Sequence, residues 1–283
     1  MIIWLASYPK SGNTLVRSIL TSLIFTDDGI VDFKKLHRIS NFIAGPFFEK
    51  FTTDFNNISE MSKYWIKVQE KLNQNKKLKF FKTHNSFCTI KGNAFTNDKN
   101  TIGTIYIVRD PRDIIISASK YYKKTIEETK VNMFNKEMTL VNTYKNKPIS
   151  TFLGSWSDHY NSWVKEKNKN ILLIKYENLI SKKEEEIKRI INFINRFAKL
   201  DVNEKKIKNC IDSSSFENMK KMENEGFFEE ASKDIDGKSI PFFGHGKKGR
   251  WKNTLEKKIV EEIESKFQKE MQELGYLAIK KIS

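Results

Sequence analysis

Ile2-Ile3-Trp4-Leu5-Ala6-Ser7-Tyr8-Pro9-Lys10-Ser11-Gly12-Asn13-Thr14-Leu15-Val16-Arg17-Ser18-Ile19-Leu20 sets the architecture of this chain. An apolar run suited to a buried strand meets a Pro, a Lys, two small polar residues and a Gly. Helical periodicity then begins at Leu15 and continues through Ser18, Ile19 and Ser22. The order is strand, loop, helix. The N–H groups that open a helix lack partners within it, and the positive end of the helix dipole adds to them. Such a junction favours an anion by roughly 0.3–1 kcal/mol when exposed and up to ~2 kcal/mol when partly buried. Gly12 permits close backbone approach, Ser11, Asn13 and Thr14 add side-chain donors, and Lys10 adds a charge. The loop is suited to phosphate, yet it is not the nucleoside-triphosphate loop G-x-x-x-x-G-K-[ST]. Its Lys precedes the Gly, and no Gly-Lys-Ser/Thr follows.

Two further apolar runs end in polar clusters in the same manner. Leu78–Phe81 leads into Lys82-Thr83-His84, and Thr104–Val108 leads into Arg109-Asp110-Pro111-Arg112-Asp113. In open α/β sheets ligands gather outside the carboxyl ends of parallel strands, so these ends can converge on the phosphate loop. Asp110 suits an N-cap and Pro111 a first helical position, with Ser117 two turns in. A fourth strand is expected from Asn170 to Tyr176, followed by a charged helix capped by Ser181 and running to about Phe197. Phe152, Trp156, Tyr160 and Trp163 carry the spacing of an apolar helix face, with His159 among them as a surface or packing residue.

The chain has 283 residues, with Lys+Arg 51 against Asp+Glu 35 for a formal charge of +16, compatible with nucleic acid, an anionic surface or a small polyanion. Lys and Asn abound everywhere, so the charge alone selects none of these. Two cysteines, Cys88 and Cys210, show neither metal-site nor disulfide spacing. A reducing, cytoplasmic setting is expected, with no secretion signal and no segment fit to span a bilayer.

Tyr8-Pro9-Lys10-Ser11-Gly12-Asn13-Thr14 resembles the 5′-phosphosulfate loop of sulfotransferases that use 3′-phosphoadenosine 5′-phosphosulfate (PAPS). Lys82-Thr83-His84 is similar to that family's element bearing a general base and an assisting lysine. Arg109–Ser117 resembles its 3′-phosphate motif, which implies that Arg109 and Ser117 bind that phosphate. Tyr176-Glu177-Asn178-Leu179 resembles its Y-E-D-[LM] segment, implying that Tyr176 meets the adenine. Ser213–Lys220 resembles S-F-x-x-M-K, which implies that Ser214 and Phe216 bracket the ring.

Gly244–Asn253 is similar to R-K-G-x-x-G-D-W-K-N, the loop over the 3′-phosphate, and implies contacts from Gly244, His245 and Gly246. It departs from that pattern where Gly244 and His245 replace Arg and Lys and where Arg250 replaces the acid. Lys247, Lys248 or Arg250 is left to supply the charge. Leu15 stands where many members place an adenine-stacking Trp.

The resemblance implies an α/β, three-layer P-loop-like fold with a central, mostly parallel sheet flanked by helices, as a single domain over 1–283. It implies sulfuryl transfer from PAPS to a hydroxyl or amine with no metal. His84 would act as base, Lys10 would follow the bridging oxygen, and Lys82 would assist at the sulfonate. A small-molecule, glycan or lipid acceptor is expected, with sugar, lipid headgroup, phenol and peptide tyrosine all left open, and neither nucleic acid nor stable membrane insertion is expected. Oligomeric state is left open. Residues 30–75 are a candidate acceptor wall, and 120–152 are expected as mobile helices and loops that shape substrate choice. The alternatives are an ATP-dependent small-molecule kinase requiring Mg²⁺, or a basic nucleic-acid-binding protein with a degenerate P-loop fold.

Overall fold

Side chains of a strand alternate between its two faces, and in β1 (Ile2–Ser7) both sets are largely apolar and fully buried. Only a central strand, covered on both sides, can satisfy such a sequence. The structure, a computed structural model, describes residues 1–165, 170–228, 242–243, 246 and 248–279. In it β1 lies between β2 (Lys79–Thr83) and β5 (Thr101–Val108), with β8 (Ile171–Lys175) beyond. All three pairings of this β2-β1-β5-β8 sheet are parallel. Two small antiparallel hairpins complete the strands. They are β3 (Thr89–Ile90) with β4 (Asn93–Ala94), and β6 (Thr139–Tyr144) with β7 (Lys147–Phe152).

The two faces of β1 head two cores. Ile2, Trp4 and Ala6 pack with Phe42, Trp65, Phe95 and Trp163. The Trp4 ring lies 5.1 Å from Phe42 and 5.2 Å from Phe95, and its indole N–H donates to Thr101 Oγ1 at 2.8 Å. Ile3 and Leu5 face α1 (Asn13–Phe25) through Val16 and Ile19, and meet Ile187, Ile190 and Ile194 of the Lys183–Asn195 helix. Parallel strands held in this way all send their C-terminal ends to one edge, which is where the polar clusters lie.

Local expectations met the structure unevenly. Asp110 caps the Pro111–Tyr122 helix, its carboxylate accepting from Arg112 N at 2.9 Å. The fourth strand lies where it was expected: β8 ends at Lys175, and Tyr176 opens a short helix to Ser181. Ser181 caps nothing, because its hydroxyl donates back to Glu177 O and the next helix follows Lys182 without a side-chain cap. Phe152 belongs to β7, not to the aromatic helix, which runs Trp156–Val164.

The 120–152 segment holds a helix, as expected, and a hairpin that was not. A full capping box between Thr125 and Glu128 starts the Ile126–Phe134 helix. Lys145 and Asn146, both left-handed, form the two-residue turn that matches the twist of the β6–β7 hairpin. That hairpin is pinned just after β2. Ser86 N donates to Phe152 O at 2.9 Å, and Phe152 N to Asn85 Oδ1 at 3.1 Å. Among the described residues no helix is long and apolar enough to cross a membrane.

Candidate active site

The turn from β1 into α1 holds Lys10 at φ 66° and Gly12 at φ 100°. At Gly12 the left-handed backbone and a neighbouring ring both exclude a side chain, since a Cβ would lie 2.5 Å from Tyr176 Cδ2. Asn13 spends its amide inside the protein, donating to Leu5 O and Ser7 Oγ at 3.1 Å each. Ser11 is fully buried, and its hydroxyl oxygen and Asn13 Oδ1 have no hydrogen-bond partner among the described residues. The Ser11 hydroxyl, a buried donor at a helix N-terminus, suits an anion, whereas Asn13 Oδ1 can only accept.

His84 follows β2 directly. Its Nδ1 lies 2.7 Å from Ser7 O, a carbonyl that can only accept, so the proton resides on Nδ1 and Nε2 carries the free lone pair. The same Nδ1 is 3.3 Å from Ser7 Oγ, the hydroxyl held by Asn13, so loop and imidazole share one support. Burial, and then the Lys82 charge, push the His84 pKa well below the usual histidine value, leaving it neutral at pH 7.

Behind it, His159 is fully buried, with Nε2 3.0 Å from His84 O and Nδ1 2.9 Å from Tyr106 OH. A carbonyl fixes the proton on Nε2, so Tyr106 donates to Nδ1. Burial drives the His159 pKa down to about 4. His159 is thus a neutral prop beneath the His84 backbone and no surface residue.

The strand ends do converge. One cavity of about 620 Å³ is lined by Lys10, Lys82, His84, Arg109, Ser117 and Tyr176. Gly12, Asn13, Thr14, Leu15, Ser214, Phe216 and Gly246 also border it, whereas Ser11 does not. Gly244 and His245 lie outside the described residues, as does Lys247. Of the basic residues left to replace the family's Arg and Lys, Arg250 reaches the cavity wall.

Arg109 is 9% exposed, donates from Nη1 to Lys10 O at 3.1 Å, and stacks over the Tyr176 ring at 4.3 Å. Its Nε is buried, with no partner among the described residues. The Lys10 ammonium lies 3.8 Å from the Tyr121 ring centre and 4.0 Å from that of Phe242. Burial, and then the charges of Arg109 and Lys82, push the Lys10 pKa down to about 7. Cations gathered in one half-buried cavity repel each other until a polyanion enters.

Five participants escaped the sequence reading. Tyr121 and Phe242 hold Lys10 across a sequence distance that no local pattern bridges. Lys183 lines the cavity and donates to Ser214 O at 2.6 Å. Asp113 binds the glycine-rich loop, accepting from Gly249 N at 2.6 Å and Trp251 N at 3.0 Å, while Arg112 stacks on Trp251 at 3.8 Å. The second Arg-Asp pair of Arg109–Asp113 was the available signal. Its chemistry is structural, since Arg112 also pairs with Asp110 and Glu264. The 30–75 segment contributes Asn41 alone to the wall, because its Phe42, Phe48 and Trp65 point into the core.

The sequence matches the family described as Sulfotransferase domain over residues 2–275. The chain belongs to the sulfotransferase family. This sulfotransferase is 26% identical over 272 residues to Sulfotransferase 1 family member D1 of Mus musculus, covering 96% of its own length and 83% of the relative's. With Sulfotransferase 1E1 of Bos taurus it shares 24% identity over 268 residues, covering 94% and 82%. Its fold is similar to that of mouse sulfotransferase SULT7A1 complexed with PAP, with TM-score 0.60, 23% identity and coverage of 95% and 84%. It is also similar to retinol dehydratase in a complex with retinol and PAP, with TM-score 0.61, 18% identity and coverage of 96% and 81%. The sheet and its flanking helices are therefore those of the family, as the resemblance implied.

Proposed function

We propose that this sulfotransferase moves a sulfuryl group from PAPS to an acceptor hydroxyl or amine within the 620 Å³ cavity. The observation that carries the reading is the convergence of the phosphate loop, Lys82, His84 and Arg109 on that cavity, with Arg109 Nε buried and without a partner among the described residues. Two solved structures of like fold are described as holding PAP, the desulfated nucleotide. PAPS supplies an activated sulfonate whose transfer leaves PAP behind.

The residues divide the work by position. N–H groups opening α1 bind the 5′ end, assisted by Thr14, and Arg109, Ser117 and Arg250 bind the 3′-phosphate. Tyr176, Phe216, Ser214, Leu15 and Gly246 enclose the base. His84 Nε2 takes the proton as the acceptor atom bonds to sulfur, and the bond from sulfur to the bridging phosphate oxygen breaks. Lys10 leaves its aromatic cage to neutralise charge growing on that oxygen, and Lys82 faces the sulfonate. Alignment and charge stabilisation supply the catalysis, as in phosphoryl transfer.

Incubation with ³⁵S-labelled PAPS and an acceptor panel tests the reading. Labelled product that disappears in His84→Ala, with PAP binding retained, is the expected result. Absence of PAP binding by calorimetry would overturn it.

A further inference from the structure

The guanidinium of Arg109 stacks on the Tyr176 ring, and the two residues leave neighbouring parallel strands, β5 and β8. The ladder between those strands ends at Val108 and Lys175, so Arg109 and Tyr176 are the first residues past it. Backbone pairing no longer holds the spacing at that point. A guanidinium fork rewards alignment, since its gain over a point charge lies in aiming its N–H groups along fixed directions at a phosphate. Something beyond the ladder has to keep the two strand ends together.

One carboxylate does so. Glu177, the residue after Tyr176, accepts at Oε1 from the backbone N–H of Asp110, the residue after Arg109, at 2.9 Å. The tie thus lies one residue beyond each member of the stack. Its other oxygen, Oε2, accepts from Tyr276 OH at 2.8 Å. Tyr276 also reaches both strand ends, its carbonyl accepting from Arg112 Nη2 at 3.1 Å and its ring lying 4.5 Å from the Lys175 ammonium. Neither Glu177 nor Tyr276 borders the cavity, so any effect they have on a bound nucleotide passes through the stack.

We propose that Glu177 and Tyr276 are positioning residues for nucleotide selection. By fixing the Arg109–Tyr176 stack they set the preference for a ribose that carries a 3′-phosphate. This rests on PAPS being the donor and on Arg109 meeting that phosphate.

The test uses the full chain and titration calorimetry of PAP against AMP, which differ by the 3′-phosphate alone. The ratio of the two affinities reads the aim of Arg109 and does not respond to a uniform loss of stability. Glu177→Ala should lower that ratio about 5- to 10-fold, as for a lost hydrogen bond. Glu177→Gln should bring it back to within about twofold of wild type, because the amide oxygen still accepts from Asp110 N and the amide nitrogen donates to Tyr276 OH. Tyr276→Phe removes one hydroxyl and keeps the ring; it should lower the ratio about threefold, and it decides the matter where Glu177→Ala does not fold. In an Arg109→Ala background neither Glu177→Ala nor Tyr276→Phe should move the ratio further, since two residues acting through one contact do not add. An unchanged ratio in Tyr276→Phe, or an equal fall with and without Arg109, overturns the proposal. Tight PAP binding by wild type with an unmoved ratio in the variants removes the brace alone, whereas no PAP binding by wild type removes the donor reading with it.

Discussion

Lys10 gives the most exacting test of the cavity's electrostatics, because its pKa sits at about 7 among the neighbouring cations. A nucleotide with phosphates at both ends of its ribose would offset the burial and the repulsion from Arg109 and Lys82, returning the ammonium toward its ordinary 10.5. A group of pKa 7 is about 3% protonated at pH 8.5 and about 90% protonated at pH 6. Binding of PAP should therefore take up about one proton at pH 8.5 and about 0.1 at pH 6.

The sign follows from the same pKa: affinity is highest where Lys10 is already charged and weakens as pH rises above 7. The fall approaches one decade per pH unit, or about 1.4 kcal/mol, until the pKa of the bound state is reached. Titration calorimetry in two buffers of different ionisation enthalpy reads the proton count directly. Lys10→Met, which cannot take a proton, subtracts the ligand's own phosphate titration near a pKa of about 6. Uptake below about 0.2 protons at pH 8.5, or equal uptake in Lys10→Met, would show that Lys10 is not the group that charges when the nucleotide binds.

Other perturbations address separate parts of the site. His84→Asn should cut kcat by roughly 10²–10⁴ while PAP binding holds, measured by single turnover with labelled donor. Because the neutral imidazole is the active form and its pKa lies well below 6.5, wild-type kcat should stay level through pH 6.5 and fall only at lower pH; a loss centred at 6.5 would contradict the buried setting. Arg109→Ala should weaken PAP by roughly 10- to 100-fold, from a charge-assisted hydrogen bond worth about 1.5–3 kcal/mol, and leave AMP binding far less affected. Arg112→Ala strips the partner from buried Asp110, from Glu264 and from the Trp251 ring, so urea denaturation should show a loss of about 3–5 kcal/mol.

Much of what depends on neighbours in the chain was legible from the residues themselves. The strand, loop and helix of residues 2–25 follow from a fully buried apolar strand, a glycine and a 3.6-residue period. The helix start at Asp110-Pro111 follows from a cap and a fixed φ. Parallel strands with polar carboxyl ends imply one functional edge, and Lys10, His84 and Arg109 do line one cavity there. The same local rules misplaced Ser181 and missed the β6–β7 hairpin, whose turn uses Lys145 and Asn146 where glycine is the usual signal.

Which polar groups face the cavity was settled by packing in three dimensions. Asn13 sits in the phosphate loop yet turns its amide back to Ser7 and Leu5, because a buried donor takes the nearest carbonyl and hydroxyl. Tyr121 and Phe242 meet around Lys10, and Tyr106 and His159 line up behind His84, through contacts between elements far apart in sequence. Periodicity assigns a residue to a face of its own element. What that face meets, and so which charge is screened, caged or turned toward an anion, depends on how the two cores close around β1.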